Sequence, residues 1–371
     1  MAFSRAIPVA ETACPSTFLD PPWYNDPMKK LKWGILGTGK IARRLAKTLQ
    51  TSRSGVLAAV ASREEPKALE FAREFGPAAA HGDYQSLLED PSVEAVYIAT
   101  PHPAHAEWNV RAANAGRHIL CEKPATMNAR ELETVLDSVR KNQVFFMEAF
   151  MYRPHPQTSR IVEIIRSGVL GEVRLIRATF SFQSDSSRES RLVRRELGGG
   201  AILDVGCYCA SMSRLIAGAA LFGDKVAEPT EVHGVGWLDE AEGTDLLACA
   251  LLKFPGKITA QLSAGTQLNQ TNHVLVHGTQ GMLRINQPWF AGSQGATLEI
   301  HRQGGEAPEI QSTESPADLY SAQFDLVAAY CHRGQAPFPA PTWEDSLGNM
   351  KVLDAWRKSL GVVYEADRPC L

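Results

Sequence analysis

Leu31-Lys32-Trp33-Gly34-Ile35-Leu36 runs directly into Gly37-Thr38-Gly39-Lys40-Ile41-Ala42, and this stretch decides the fold. The first six residues predict a buried strand. Ile41, Leu45, Ala46 and Leu49 then share one face of a helix. Gly37 permits the tight turn between them, and Gly39 lets backbone N–H groups approach a pyrophosphate at the helix N-terminus. Ala42 is small enough for the helix to pack closely on the strand. Strand, glycine string and helix in this order read as a dinucleotide-binding turn. Its candidate cofactor contacts are Gly37, Thr38, Gly39, Lys40 and Ile41.

Working outward, a second strand at 56–61 ends in Ser62-Arg63, about 20 residues beyond the glycines, where such folds meet the adenosine ribose. An acidic residue there would bind a 2′-hydroxyl and select NAD. Ser62 with Arg63 offers a hydroxyl and a cation instead, which favours NADP and leaves NAD as the alternative. Glu64 and Glu65 would oppose a phosphate if they pointed inward. The alternation continues with a helix at 66–75, a strand at 95–99, a helix at 104–115 and a strand at 119–121. A helix at 128–141 and a strand at 144–147 follow. Repeated βα units of this length predict a parallel, doubly wound sheet. Thr100, His102 and His105 fall in the turn expected along the nicotinamide half of the crevice. Glu122-Lys123-Pro124 falls at the carboxyl end of a strand, where open α/β sheets place their chemistry.

Beyond Glu148 the pattern changes. A helix at 158–166 and a long strand at 172–182 precede Gly198-Gly199-Gly200, which opens a helix through Asp204 and Tyr208. Strand-like runs at 232–237, 246–254, 257–263, 273–277 and 282–285 predict a largely antiparallel sheet, and helices at 318–331 and 343–360 close an α+β unit. Asp204 and Tyr208, spaced i and i+4, share one helix face. A lysine ammonium near the tyrosine would lower its pKa from about 10 toward a useful value, so that Tyr208 takes the proton from a substrate hydroxyl. Lys123 would stabilise the oxygen as it gains charge, and Asp204 would hold a second hydroxyl. Arg188, Arg191, Arg194 and Arg195 cluster before the glycines, either as a solvated loop or as a receptor for an anionic substrate.

The 371 residues suffice for two domains, and a net charge of −3 with 21% charged residues gives no footprint for nucleic acid or anionic membranes. No apolar run is long enough to span a bilayer. The seven cysteines are odd in number and lack a CxxC spacing, which reads as reduced thiols in a cytoplasmic protein. No metal site is expected. Residues 1–28, with Pro15, Pro21, Pro22 and Pro27, read as an N-terminal extension or an ordered arm.

Taken together, Gly37-x-Gly39-x-x-Ala42, Glu122-Lys123-Pro124, the run from Glu148 to Arg153 and the run from Leu197 to Tyr208 resemble the Gfo/Idh/MocA family of NAD(P)-dependent oxidoreductases. The resemblance extends from about residue 30 to the C-terminus and is nearest the glucose–fructose oxidoreductase and dimeric dihydrodiol dehydrogenase branches. It implies a Rossmann domain at 29–150 and a substrate-binding and oligomerisation domain at 151–371, built on a large, mostly antiparallel open sheet. It implies Lys123 as the shared catalytic lysine, Asp204 and Arg153 against substrate, Glu122 beside the cofactor, and Tyr208 where many members carry histidine. Cyclic polyols or sugars are the implied substrates, and the open sheet face the implied surface of a homodimer or homotetramer. Some relatives use a tightly bound NAD(P) for transient oxidation and elimination at a glycoside, which is the alternative activity. A non-catalytic ligand sensor is a third reading, opposed by the presence of Lys123 and Tyr208.

Overall fold

The computed structural model describes residues 30–184, 190–292, 296–313 and 318–368. The 1–28 arm and Arg188 lie outside the described residues. The first half alternates β1 (Leu31–Leu36), α1 (Lys40–Thr51), β2 (Gly55–Ala61), α2 (Glu65–Phe75), β3 (Ala79–His81), α3 (Tyr84–Glu89) and β4 (Ala95–Ile98). It continues with α4 (His105–Asn114), β5 (His118–Cys121), α5 (Ala129–Asn142) and β6 (Phe146–Glu148). The strands form one parallel sheet in the order β3-β2-β1-β4-β5-β6. Strand order reverses between β1 and β4, so a crevice opens beyond their carboxyl ends, where ligands bind in such sheets.

The sequence reading left out β3 and α3. β3 is three residues long, and α3 is six, too short for a periodic signal. α3 is held instead by Asp83, whose carboxylate accepts from the Ser86 N–H at 2.8 Å, and by burial of Leu87 and Leu88.

The second half comprises α6 (Pro156–Arg166), β7 (Val173–Ser181), α7 (Cys207–Leu221), β8 (Glu231–Leu238), β9 (Asp245–Phe254) and β10 (Ile258–Gly265). After these come β11 (Val274–Gly278), β12 (Gly281–Ile285), β13 (Ala296–Arg302), β14 (Glu309–Thr313), α8 (Ser321–Tyr330) and α9 (Trp343–Leu360). The sheet runs β14-β13-β12-β11-β7-β10-β9-β8 and is antiparallel except where β10 pairs with β7. β13 and β14 extend it beyond the expected strands. The inward face of β13 is Ala296, Leu298 and Ile300, all buried. His273 and His277, four residues apart, fall along extended chain, and no group of metal-ligating side chains forms among the described residues. Cys121, Cys207, Cys209, Cys249 and Cys331 are free thiols. No described helix is long and apolar enough to cross a membrane.

One helix crosses back. α8 belongs by sequence to the second half, yet Phe324 and Val327 are fully buried in the cluster that includes Trp33, Tyr97 and Leu120 on the first sheet and Leu45 on α1. The Phe324 ring meets Trp33 edge-on at 4.8 Å between centroids. Asp318, just before α8, pairs with Arg44 and accepts from the Thr48 hydroxyl at 3.3 Å, both on α1. Removing the Phe324 ring would open a cavity under the first sheet. Phe324→Ala is expected to destabilise the protein by about 3–5 kcal/mol in denaturant unfolding; a loss below 1 kcal/mol would show that α8 does not help hold the first sheet.

Candidate active site

A cavity of about 990 Å³ runs along the carboxyl ends of β1, β2, β4 and β5 and on to the start of α7. Its first wall is the dinucleotide turn, residues Gly37 to Ile41. Gly37 has φ +109°, and a Cβ there would meet the Ala99 carbonyl oxygen at 2.8 Å, so only glycine fits. α1 starts at Gly39 with no side-chain cap and no acidic residue in its first turn. Its leading N–H groups and positive dipole end therefore face open space, as a pyrophosphate requires. Ser62 and Arg63 line the same wall with Tyr84, which the sequence reading missed. Glu64, expected to oppose a phosphate if inward, pairs with Lys67 at 2.5 Å. The residues present fit a nicotinamide dinucleotide.

The opposite wall holds the reacting groups. The Lys123 ammonium donates to the Asp204 backbone carbonyl at 2.7 Å and lies 3.5 Å from the Asp204 carboxylate. Arg191 reaches the same carboxylate oxygen at 3.1 Å. Burial alone would raise the Asp204 pKa, but Lys123, then Arg191, outweigh it and hold the carboxyl well below its usual range. Burial likewise opposes the Lys123 charge, yet Asp204, with lesser help from Cys207 and Glu122, raises its pKa. Both groups are charged at neutral pH. Of the arginine cluster, Arg191 enters the cavity wall, whereas Arg194 pairs with Glu196 and Arg195 donates to Glu242.

The helix carrying these groups differs from the expected one. Residues Ile202–Gly206 form a π-helical turn ahead of α7, a device that recurs at functional sites. Tyr208 lines the cavity, but Lys123 lies over its ring face, 5.2 Å from the centroid, and the hydroxyl points to the Met151 sulfur at 3.1 Å. The expected lowering of Tyr208 by Lys123 is therefore corrected. Burial first, then the charge of Glu122, pushes the phenol well above its ordinary value, and it stays protonated.

The other candidates divide between the cavity wall, which Thr100, His102 and Glu122 line, and the layer behind it. Glu122 lines the cavity and accepts from the Tyr97 hydroxyl and from the Lys123 N–H at 3.2 Å. Burial pushes His102 down to about 3, so its neutral ring donates from Nδ1 to the Gly198 carbonyl at 3.0 Å and bridges the two halves. Thr100 also lines the cavity. His105 does not. It is fully buried with its two ring nitrogens 2.8 Å from the Pro124 carbonyl and 2.9 Å from the Thr100 carbonyl, and the single N–H of its neutral ring donates to one of the two, bracing the turn that carries Lys123. Arg153, expected against substrate, is instead buried, paired with Asp345 at 2.7 Å and bonded to Ser211 and Pro339. Phe180, Phe182 and Phe290 supply an apolar wall that the sequence did not single out.

Residues 31–150 match the family model described as "Oxidoreductase family, NAD-binding Rossmann fold", and residues 158–284 match "GFO/IDH/MocA C-terminal domain". The chain belongs to the Gfo/Idh/MocA oxidoreductase family. Members similar to it include D-xylose 1-dehydrogenase (NADP(+)) 2 of Haloferax volcanii, 32% identical over 91% of this chain and 100% of that protein. Trans-1,2-dihydrobenzene-1,2-diol dehydrogenase of Mus musculus is 30% identical over 91% of this chain and 99% of that one. Among solved structures, a 3-ketoreductase from Actinomadura kijaniata in complex with TDP-benzene and NADP superposes with TM-score 0.78 at 29% identity. That match covers 90% of this chain and 98% of the other. The chain is thus an NAD(P)-dependent oxidoreductase of the Gfo/Idh/MocA family, with a Rossmann first half and a mostly antiparallel second sheet.

This family member seats its π-helical turn on a buried acid. Asp245 accepts from the Ile202 N–H at 2.6 Å, and Gly200, at φ +120°, lies so close that a side chain there would strike the carboxyl. Burial raises the Asp245 pKa to about 7. The fold therefore favours the neutral acid. That contribution is intact below the unfolded value near 4 and is lost as pH rises through about 7. Asp245→Asn is expected to melt higher than the parent at pH 8, by up to about 4 kcal/mol of stability, and to match it at pH 4. Melting curves across that range check this, and a pH-independent difference would refute it.

Proposed function

We propose that the enzyme moves a hydride between NADP(H) and a hydroxyl-bearing or carbonyl carbon of a sugar or cyclic polyol. The observation that carries this reading is the Lys123–Asp204–Arg191 charge cluster in the same cavity as the open dinucleotide turn. Ser62 and Arg63, with Glu64 taken up by Lys67, suit a 2′-phosphate and support NADP over NAD. The NADP named with two of the relatives supports the same choice.

The bound nicotinamide would supply or accept the hydride. The Lys123 ammonium stabilises substrate oxygen as it carries negative charge. The Tyr208 phenol, protonated at rest, donates its proton to the carbonyl oxygen as hydride arrives during reduction; oxidation is the reverse, in which the phenolate left by loss of that proton takes the alcohol proton as hydride leaves. Asp204 accepts from a neighbouring substrate hydroxyl, and the phenylalanine wall covers the apolar face of a ring. The relatives named above are dehydrogenases and a reductase, and among the described residues no cavity group favours the elimination alternative.

A panel of sugars and cyclic diols with NADP⁺, and of the matching ketones with NADPH, tests this by nicotinamide absorbance. Lys123→Met should cut turnover by at least about 10²–10³-fold, and Tyr208→Phe by about 10²–10⁴-fold, with NADPH binding kept in both. Retained turnover in Lys123→Met would sink the assignment.

The open face of the second sheet supports a homo-oligomer. Val235 and Trp237 on β8 are 73% and 75% exposed, and Leu251 on β9 is 52% exposed beside them, an apolar strip suited to a second copy. Sedimentation is expected to give a dimer or tetramer that Trp237→Glu dissociates. A monomeric parent would refute this.

A further inference from the structure

Tyr320 stands at the start of α8, on the segment that crosses back to the first domain, and lines the cavity. Three contacts set its place. Its N–H donates to the Asp318 carboxylate at 3.0 Å, that carboxylate pairs with Arg44 on α1, and the Arg44 guanidinium lies 5.3 Å from the Tyr320 ring centroid. Arg44 lies one turn along the helix that begins at the dinucleotide turn. The ring is therefore tied to the cofactor-binding element itself.

Tyr320 shares the cavity lining with Glu122, Lys123 and Tyr208. Glu122 and Lys123 act on it electrostatically, and it acts in turn on Tyr97 and Tyr208. These are the groups at the carboxyl ends of β4 and β5 and the start of α7, the nicotinamide end of the crevice. Burial, then Glu122, raises the pKa of the phenol, so the hydroxyl is a donor at neutral pH. Among the described residues no side chain or carbonyl accepts from it. The Glu122 carboxylate is taken by the Tyr97 hydroxyl and the Lys123 N–H, and Asp318 by Arg44 and the Tyr320 N–H.

We propose that Tyr320 is a cofactor-binding residue supplied by the second half of the chain, its hydroxyl donating to the nicotinamide nucleoside half of NADP(H). The Arg44–Asp318 link holds the ring over the cleft, so that one helix, α1, positions both the pyrophosphate turn and this clasp. The inference rests on the NADP(H) reading above, and its test separates the two.

The test is equilibrium binding, not turnover. NADPH fluorescence titrations on the full chain are compared with titrations of adenosine 2′,5′-bisphosphate, which carries the adenosine half alone. Tyr320→Phe keeps the ring and removes the donor; it is expected to weaken NADPH about 5–10-fold and leave the adenosine bisphosphate unchanged. Arg44→Met, which keeps the phenol but frees the ring, should weaken NADPH in the same selective way. Unchanged NADPH affinity in Tyr320→Phe would overturn the proposal, as would equal weakening of both ligands, which would mark general loosening. If the unaltered protein binds NAD(H) in preference to NADP(H), the NADP reading fails, and the clasp is then judged by the same comparison with NADH and AMP.

Discussion

One carboxylate organises the site. Asp204 is only 5% exposed and carries two cations, Lys123 from the first domain and Arg191 from the loop before the glycines. A buried charge survives only when it is paired, and Lys123 and Asp204 would each pay a large desolvation cost without the other, while Arg191 joins them from an exposed side chain. The cluster therefore fixes the position of the π-helical turn against the end of β5, and with it the relation of the two halves across the cavity. It also keeps Lys123 charged in a place where burial works against that charge.

Much of the remaining structure keeps that carboxylate in place. Asp245 receives the first N–H of the π-helical turn, and the Tyr364 hydroxyl donates to the Gly199 carbonyl. Arg357 on α9 donates to the Met127 carbonyl at 2.9 Å and pairs with Asp354 and Asp367, tying the end of the chain to the loop beyond Lys123. On the first domain, Glu148 accepts from the Ala125 N–H at 3.0 Å and His105 braces Pro124. Lys123 is thus held by three elements that meet behind it, which is the arrangement a preorganised electrostatic site needs.

Most of the strands and helices that bear the site were legible because they are long enough to show an apolar pattern. β1, α1 and β2 read directly from apolar runs and spacing, the four-residue β5 from its place in the βα alternation before Glu122-Lys123-Pro124, and the glycines at 37 and 39 named the turn between β1 and α1. The short pair β3 and α3 had no period to show. Arg153 looked chemical within its motif, but its partner Asp345 lies far along the chain, and sequence cannot distinguish a cation buried in an ion pair from one facing a ligand. The i, i+4 spacing of Asp204 and Tyr208 assumed an α-helix, and the π-helical turn breaks that assumption. Tyr320 carried no signal, because nothing local announces that α8 returns to the first sheet.

The largest change concerns how Lys123 and Tyr208 work together. Proximity suggested an ammonium that acidifies a phenol, yet proximity to the ring is not proximity to the oxygen. Over the ring face, 5.2 Å from its centroid, Lys123 meets the negative side of the aromatic quadrupole, which stabilises the cation and leaves the phenol's proton where it was. The hydroxyl is turned to the Met151 sulfur, a weak acceptor that cannot stabilise a phenolate. The ion-pair partner of Lys123 is Asp204. The two side chains are therefore a charged stabiliser and a neutral acid placed side by side. A substrate oxygen that draws the hydroxyl away from Met151 would be the first group to meet both.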